Sequence, residues 1–100
     1  MSYLVLFSMT PIGRGTGVSR HVAKAVRVVA KSGLPWEPGS MGTTFEAPTL
    51  ARAFSVLSAC DRALRSLPRV STLIKIDRRA GGMGRMAHKT AVIQTLLRRG

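Results

Sequence analysis

The first hydrophobic segment of the chain alternates along residues 2–9 and is apolar on both sides. One side holds Tyr3, Val5, Phe7 and Met9, and the other holds Leu4 and Leu6. Alternation with a period of two predicts a β-strand, and apolar residues on both sides predict burial of both faces.

The pattern changes to a helical period over residues 19–32. The predicted buried stripe comprises Val18, Val22, Ala25 and Val29. Basic side chains recur on the opposite side, and we call these four residues the basic face of the first helix: Arg20, Lys24, Arg27 and Lys31. Gly33 follows directly, as is typical of a residue that ends a helix in the left-handed conformation.

The rest of the chain continues with short strands and two further helices. Residues 35–47 predict two strands that end at Pro48, and Thr49 is a typical N-cap of the second helix. That helix is expected to bury Leu50, Ala53, Phe54, Leu57, Cys60, Leu64 and Leu67. Residues 69–77 predict a strand, with Val70, Thr72, Ile74 and Ile76 on one side. A third helix over 86–99 is expected to bury Met86, Ile93 and Leu97.

This order of elements, β-α-β-β-α-β followed by α, predicts a fold class. It is the order of a ferredoxin-like α+β sandwich, here a single domain over residues 1–100 with an additional C-terminal helix. Two helices cover one face of the sheet in that fold. Because the first strand is apolar on both sides, either the third helix or a second subunit is expected to cover the other face. We therefore expect a homodimer or a dimer of dimers.

Composition narrows the classes of function. The net charge of +12 makes a basic RNA- or polyanion-binding module the main alternative to small-molecule binding. A third possibility is an assembly protein with no ligand. The single cysteine rules out a disulfide framework, and no apolar run approaches a membrane span, so we expect a cytoplasmic protein. No spacing of His, Cys or acids indicates a metal site or a catalytic set, and no cofactor is predicted.

Glu46 is the strongest candidate for binding chemistry. It is one of only four acids and lies in a strand next to Phe45. It could accept a hydrogen bond from a ligand or form a salt bridge with an arginine, and the residues leave both possibilities open. We expect it to face a cavity bordered by the loop at 11–15 and by residues 41–43. Thr44 shares its side of the strand, whereas Thr43 points to the other unless a bulge redirects it.

Several other residues have both a structural and a functional interpretation. The glycines of residues 13–17 could hold an anion or simply form a loop, and Ser19 is expected to be an N-cap. Trp36 could stack on a planar ring or pack on the first helix. Cys60 is expected in the core, and His21 and His88 at the surface. Asp77 is expected to form a local ion pair or an inter-subunit contact.

A set of short motifs, taken in order, resembles the small thiamine-binding-protein family. The motifs are Pro11-Ile12-Gly13-x-Gly15, Ser19, Ser32-Gly33-Leu34-x-Trp36-Glu37, Met41-Gly42-Thr43-x-Phe45-Glu46, Arg69-Val70 and Ile74-Lys75-Ile76-Asp77-x-Arg79. The resemblance implies a ferredoxin-like fold and subunits that pair through their sheets. It also implies binding of thiamin or its hydroxymethylpyrimidine moiety as a ligand, without catalysis.

The resemblance also implies a set of ligand-binding residues. Glu46 and Thr43 are expected to contact the ligand. The residues expected to line the pocket around them are Pro11, Gly13, Ser19, Trp36 and Met41.

Overall fold

The computed structural model describes residues 1–13 and 18–99, with no side-chain description for Val18. Its elements are β1 (Ser2–Pro11), α1 (Val18–Lys31), β2 (Trp36–Glu37), β3 (Thr43–Ala47), α2 (Leu50–Ala63), β4 (Val70–Arg79) and α3 (Arg85–Arg99). Most of the predicted glycine loop at 13–17 lies outside the described residues. Gly33 has φ +80°, as predicted for the end of α1, and the Thr49 side chain accepts from the Arg52 N–H as the N-cap of α2.

The four strands form one antiparallel sheet in the order β2-β3-β1-β4. Val5 of β1 lies opposite Phe45 on one side and Ile76 on the other, so these residues share a face. Leu4 lies opposite Glu46 and Asp77, which places these three residues on the reverse face. The ferredoxin-like prediction is confirmed.

The core lies between one face of the sheet and helices α1 and α2. Val5, Phe7 and Phe45 of the sheet are buried there, and the rings of Phe7 and Phe45 meet edge to face at 5.9 Å. The predicted position of Cys60 in the core is confirmed, because its thiol lies 3.5 Å from the carbonyl oxygen of Ala25 on α1. Burial raises the pKa of this thiol to about 11. The basic face of α1 is exposed, as predicted.

The predicted buried stripe of α2 was partly wrong. Phe54 is 51% exposed and Leu50 is 41% exposed, whereas Val56 is buried. At about 100° per residue, Phe54 lies roughly 110° from the centre of the stripe formed by Ala53, Val56, Leu57 and Cys60. The alanine and the cysteine, which are small, allow α2 to approach the sheet on that side.

The reverse face of the sheet and the helix α3 remain largely uncovered. The prediction that α3 buries Ile93 and Leu97 is wrong for the single chain, where these residues are 58% and 75% exposed. Met86 in the first turn is half-buried. The first turn of α3 is anchored on the sheet by hydrogen bonds to Glu46, and the apolar residues of its later turns stay exposed. No helix within residues 1–13 and 18–99 is both long and apolar enough to cross a membrane.

Candidate functional site

A cavity of about 430 Å³ lies between β1, α1 and the segment that joins β2 to β3. Its walls are formed by Phe7–Thr10 of β1, by Val22, Ala25 and Val26 of α1, and by Pro38–Thr43. Two residues predicted to bind the ligand, Met41 and Thr43, lie in this wall. Thr43 is buried and Met41 is 89% exposed, so Thr43 faces the interior and Met41 extends into solvent.

Two glycines allow the joining segment to fold closely over β1. A Cβ atom on Gly42 would lie 2.9 Å from the carbonyl oxygen of Phe7, and one on Gly39 would lie 2.8 Å from the carbonyl oxygen of Gly42. Real Cβ atoms essentially never come so close to backbone atoms. The shape of this wall therefore depends on the absence of side chains at both positions.

The chemistry of the cavity wall is apolar with a few hydroxyl groups. Phe7, Val22 and Ala25 supply apolar surface, and Ser40 and Thr43 supply hydroxyls. Among the described lining residues there is no acidic or basic side chain. Such a wall suits an uncharged, mainly apolar group that forms a small number of hydrogen bonds.

Glu46 does not belong to this cavity, so the prediction that it faces the space between loop 11–15 and residues 41–43 is wrong. Along β3, Thr43 and Phe45 point to the core face, and Glu46 points to the reverse face, where it lies opposite Leu4. Side chains alternate between faces along a strand, and no bulge interrupts the register of β3. The residue also lies toward the end of the sheet away from the cavity.

The Glu46 carboxylate instead holds the first turn of α3. Its Oε2 accepts hydrogen bonds from Ser2 Oγ at 2.6 Å and from the backbone N–H groups of Gly84 at 3.0 Å and Arg85 at 3.2 Å. Its Oε1 accepts from the Met86 N–H at 3.4 Å. Its partners are a hydroxyl and backbone N–H groups, so the predicted salt bridge to an arginine side chain is wrong within the described residues. The carboxylate satisfies N–H groups that have no partner within a helix.

The protonation state of Glu46 reflects two opposing effects. The side chain is fully buried, and burial by itself raises the pKa of a carboxyl group. The hydrogen bonds from the Ser2 hydroxyl and from the N–H groups of Arg85, Met86 and Gly84 outweigh it, so the pKa is below the ordinary value of 4.5. The positive end of the α3 dipole acts in the same direction. Glu46 is therefore charged at neutral pH.

Arg85 completes this anchor and was missed by sequence reasoning. Its guanidinium donates to Asp77 Oδ2 at 2.5 Å, to the Asp77 carbonyl oxygen at 3.1 Å and to the Ser2 carbonyl oxygen at 3.3 Å. The side chain is only 9% exposed. The predicted ion pair of Asp77 is thus local to one chain. The signal in the sequence was an arginine directly after Gly84 at the start of a helix, eight residues after Asp77, which is one of the four acids.

The remaining predicted site residues lie outside the cavity lining. Pro11 is buried at the end of β1 opposite Val70, and Gly13 is exposed with φ +81°. Ser19 is exposed inside the first turn of α1, which begins at Val18, so Ser19 is not the N-cap that was predicted. Trp36 is half-buried on β2 beside a groove formed with α3. The structure therefore brings together only two of the seven predicted residues.

The fold and the cavity define a ferredoxin-like α+β domain with a space of ligand size between its sheet and its first helix. The model of the family described as "Thiamine-binding protein" matches residues 5–94. This chain belongs to that family.

Similar proteins agree with this assignment. A UPF0045 protein of Mycobacterium bovis is 42% identical over 100 residues, covering 99% of this chain and 98% of the relative. A hypothetical protein of Methanocaldococcus jannaschii has a solved structure with a TM-score of 0.79 and 29% identity, covering 93% and 96% of the two chains. A candidate thiamine biosynthesis/salvage protein of Thermotoga maritima shares the fold, with a TM-score of 0.75 at 20% identity and coverage of 84% and 90%.

Proposed function

We propose that this protein binds thiamin or its hydroxymethylpyrimidine moiety, without transforming it, in the cavity between β1, α1 and residues 38–43. The observation that carries the proposal is the cavity of about 430 Å³ with an apolar wall and a buried hydroxyl at Thr43. Its volume lies within the usual range for small-molecule sites. Membership of a family described by thiamine binding gives the class of ligand and supports binding rather than catalysis.

The pyrimidine ring is the part of thiamin that this wall suits best. The thiazolium ring carries a permanent positive charge, and burying a charge without a partner is unfavourable. The described lining residues offer no carboxylate to balance it. An aminopyrimidine is uncharged at neutral pH and can exchange hydrogen bonds with Thr43. We therefore propose that the pyrimidine ring enters the cavity and that the thiazolium ring stays at the solvent side.

We also propose that the protein acts as a homodimer or a dimer of dimers. The accessible surface of the chain is 6725 Å². A compact monomer of this mass would expose about 5,500 Å². The difference between these two surface areas is larger than the roughly 800 Å² that each partner buries in a standard interface. The exposed apolar residues that would contribute are Leu6, Leu73, Val92, Ile93, Leu96 and Leu97.

Calorimetric titration with three compounds tests the proposed ligand. Hydroxymethylpyrimidine and thiamin are expected to bind with dissociation constants within about tenfold of each other, and hydroxyethylthiazole is expected to show no binding. Thiazole binding without pyrimidine binding would contradict the assignment of the ring. Absence of binding for all three at millimolar concentration would contradict the proposed function.

Two variants link the binding to this cavity. Thr43→Val removes one neutral hydrogen bond of about 0.5–1.5 kcal/mol and should weaken pyrimidine binding roughly threefold to tenfold. Val22→Phe places a ring in the cavity and should abolish binding. Val28→Phe is the matched control, because Val28 is half-buried on α1 but does not line the cavity. Equal losses in Val22→Phe and Val28→Phe would mean that the substitutions act through the fold.

A further inference from the structure

A second cavity, of about 270 Å³, lies where β4 ends and α3 begins. Its wall consists of the turn at residues 80–84 and four basic or titratable side chains: Arg79, Arg85, His88 and Lys89. No acidic residue belongs to its described lining. This cavity has a positively charged wall that would repel a cationic ligand, so it plays no part in the proposed function.

The positive charge of this wall is only partly neutralised, because Asp77 pairs with Arg85 and no acid pairs with Arg79 or Lys89 among the described residues. The two acids on this side of the sheet are already engaged, Asp77 with Arg85 and Glu46 with the first turn of α3. Arg85 is nine-tenths buried in the wall, and its Nε–H has no acceptor among the described residues. The wall therefore has both unpaired charge and an unpaired buried donor.

The backbone of the turn is open to a ligand as well. Cβ atoms built on Gly81, Gly82 and Gly84 meet nothing within 4 Å. The N–H groups of residues 81–83 donate no hydrogen bond to another described residue. The N–H groups of Gly84, Arg85 and Met86 are different, because Glu46 occupies them. Any anion in the cavity would be held by side chains and by the turn, and not by the helix terminus.

We propose that this cavity binds a small phosphate-type anion, with the diphosphate group as the best match. Several basic side chains around one small space suit an anion that carries more than one negative charge. At about 30 Å³ for each water, the volume corresponds to roughly nine water molecules, enough for a diphosphate group. Arg79 and Lys89 would contact its oxygens, and the N–H groups of residues 81–83 would donate to it.

This site is separate from the thiamin cavity. Arg79 lies opposite Ser2 at one end of β1, whereas the first cavity begins at Phe7 and continues to Thr10. At about 3.4 Å per residue, the five residue steps from Ser2 to Phe7 span about 17 Å. One small molecule cannot fill both cavities of a single chain, so failure of the thiamin proposal would leave this one unaffected.

The experiment is calorimetric titration with inorganic pyrophosphate at constant ionic strength, on the wild type and two double variants. Arg79→Gln with Lys89→Gln removes two charges from the cavity, and both side chains are exposed, so the fold should be retained. Arg20→Gln with Lys24→Gln removes the same charge from the basic face of α1 and is the matched control. We expect at least tenfold weaker binding in the first variant and less than a twofold change in the control.

Three results would overturn the proposal. They are equal weakening in both variants, which would indicate general attraction to a basic protein; no change in the Arg79/Lys89 variant; and no wild-type binding at millimolar pyrophosphate. Titration with ADP distinguishes the source of the group. Binding of ADP as tight as that of pyrophosphate would support a diphosphate within a larger molecule, whereas binding of pyrophosphate alone would support the free ion.

Discussion

Replacing Glu46 by glutamine tests the anchor of α3. The change keeps the shape of the side chain and removes its charge. The carboxylate accepts four hydrogen bonds, three of them at Oε2. If the amide oxygen of the glutamine takes the position of Oε2, three of the hydrogen bonds are kept, now with an uncharged acceptor. The amide nitrogen then takes the position of Oε1 and faces the Met86 N–H, so two donors meet and the fourth hydrogen bond is lost.

The expected loss follows from these contacts. Each retained bond weakens by about 1 kcal/mol when its acceptor loses its charge, and one bond of about 1 kcal/mol disappears. A neutral amide is easier to bury than a carboxylate, which offsets roughly 1–2 kcal/mol. We therefore expect the free energy of unfolding to fall by about 2–3 kcal/mol at pH 7. For a domain of this size that corresponds to roughly 10–20 °C in Tm.

Urea unfolding of the ligand-free protein at a fixed protein concentration measures this loss. Glu37→Gln is the control, since it makes the same chemical change at an exposed carboxylate on β2. It should alter stability by less than about 0.5 kcal/mol. A stable Glu46→Gln variant that has lost thiamin binding would refute the reasoning, because it would make Glu46 a ligand residue and not an anchor. We expect the reverse, a destabilised protein with nearly unchanged affinity.

Three further predictions concern pH, assembly and charge. The pKa of Glu46 in the folded protein is below its ordinary value of 4.5, so the stability that its charge contributes is complete above about pH 4.5 and is lost as the pH falls through the folded pKa. In acid unfolding, the free energy of unfolding of Glu46→Gln should therefore depend less on pH below about 4.5 than that of the wild type. Light scattering at micromolar concentration should give a dimer or tetramer; Leu96→Glu on α3 should shift it to monomer while Leu50→Glu on α2 should not, and a wild-type monomer at high concentration would contradict the proposed assembly. Changing the basic face of α1 to glutamate should weaken association with RNA without lowering Tm, and the association should fall steeply with salt; salt-resistant, sequence-selective binding would favour the RNA-binding alternative.

The fold could be predicted because its signals are local. The alternation in β1, the basic face of α1 and the turn at Gly33 each follow from residues close in sequence. Their order then leaves few topologies. The errors arose where burial depends on distant parts of the chain. Phe54 is exposed because α2 turns Ala53, Val56, Leu57 and Cys60 toward the sheet. The spacing of apolar residues predicts which side of a helix is buried, but it does not predict the rotation of the helix about its axis to within one residue.

The site was harder to predict for a related reason. Side chains alternate between the two faces of a strand, so the sequence alone predicts that Thr43 and Glu46 point to opposite faces. The motif that contains both residues nevertheless suggested one pocket. The true partners of Glu46, Ser2 and the first turn of α3, lie 44 and 38–40 residues away. Such pairings follow only from the assembled sheet. The role of Gly39 and Gly42 in the joining segment likewise follows only from the close approach of that segment to β1 in the folded chain.

The anchor of α3 has a consequence for the order in which the protein folds. Ser2, Glu46 and Asp77 come from three different strands, and the first turn of α3 has its hydrogen-bonding partners only when those strands are already side by side. We therefore expect the last helix of the chain to dock only on a sheet that has already formed. Amide protons at Gly84, Arg85 and Met86 should then become protected from exchange in the last step of folding, and pulse-labelling hydrogen exchange would measure this.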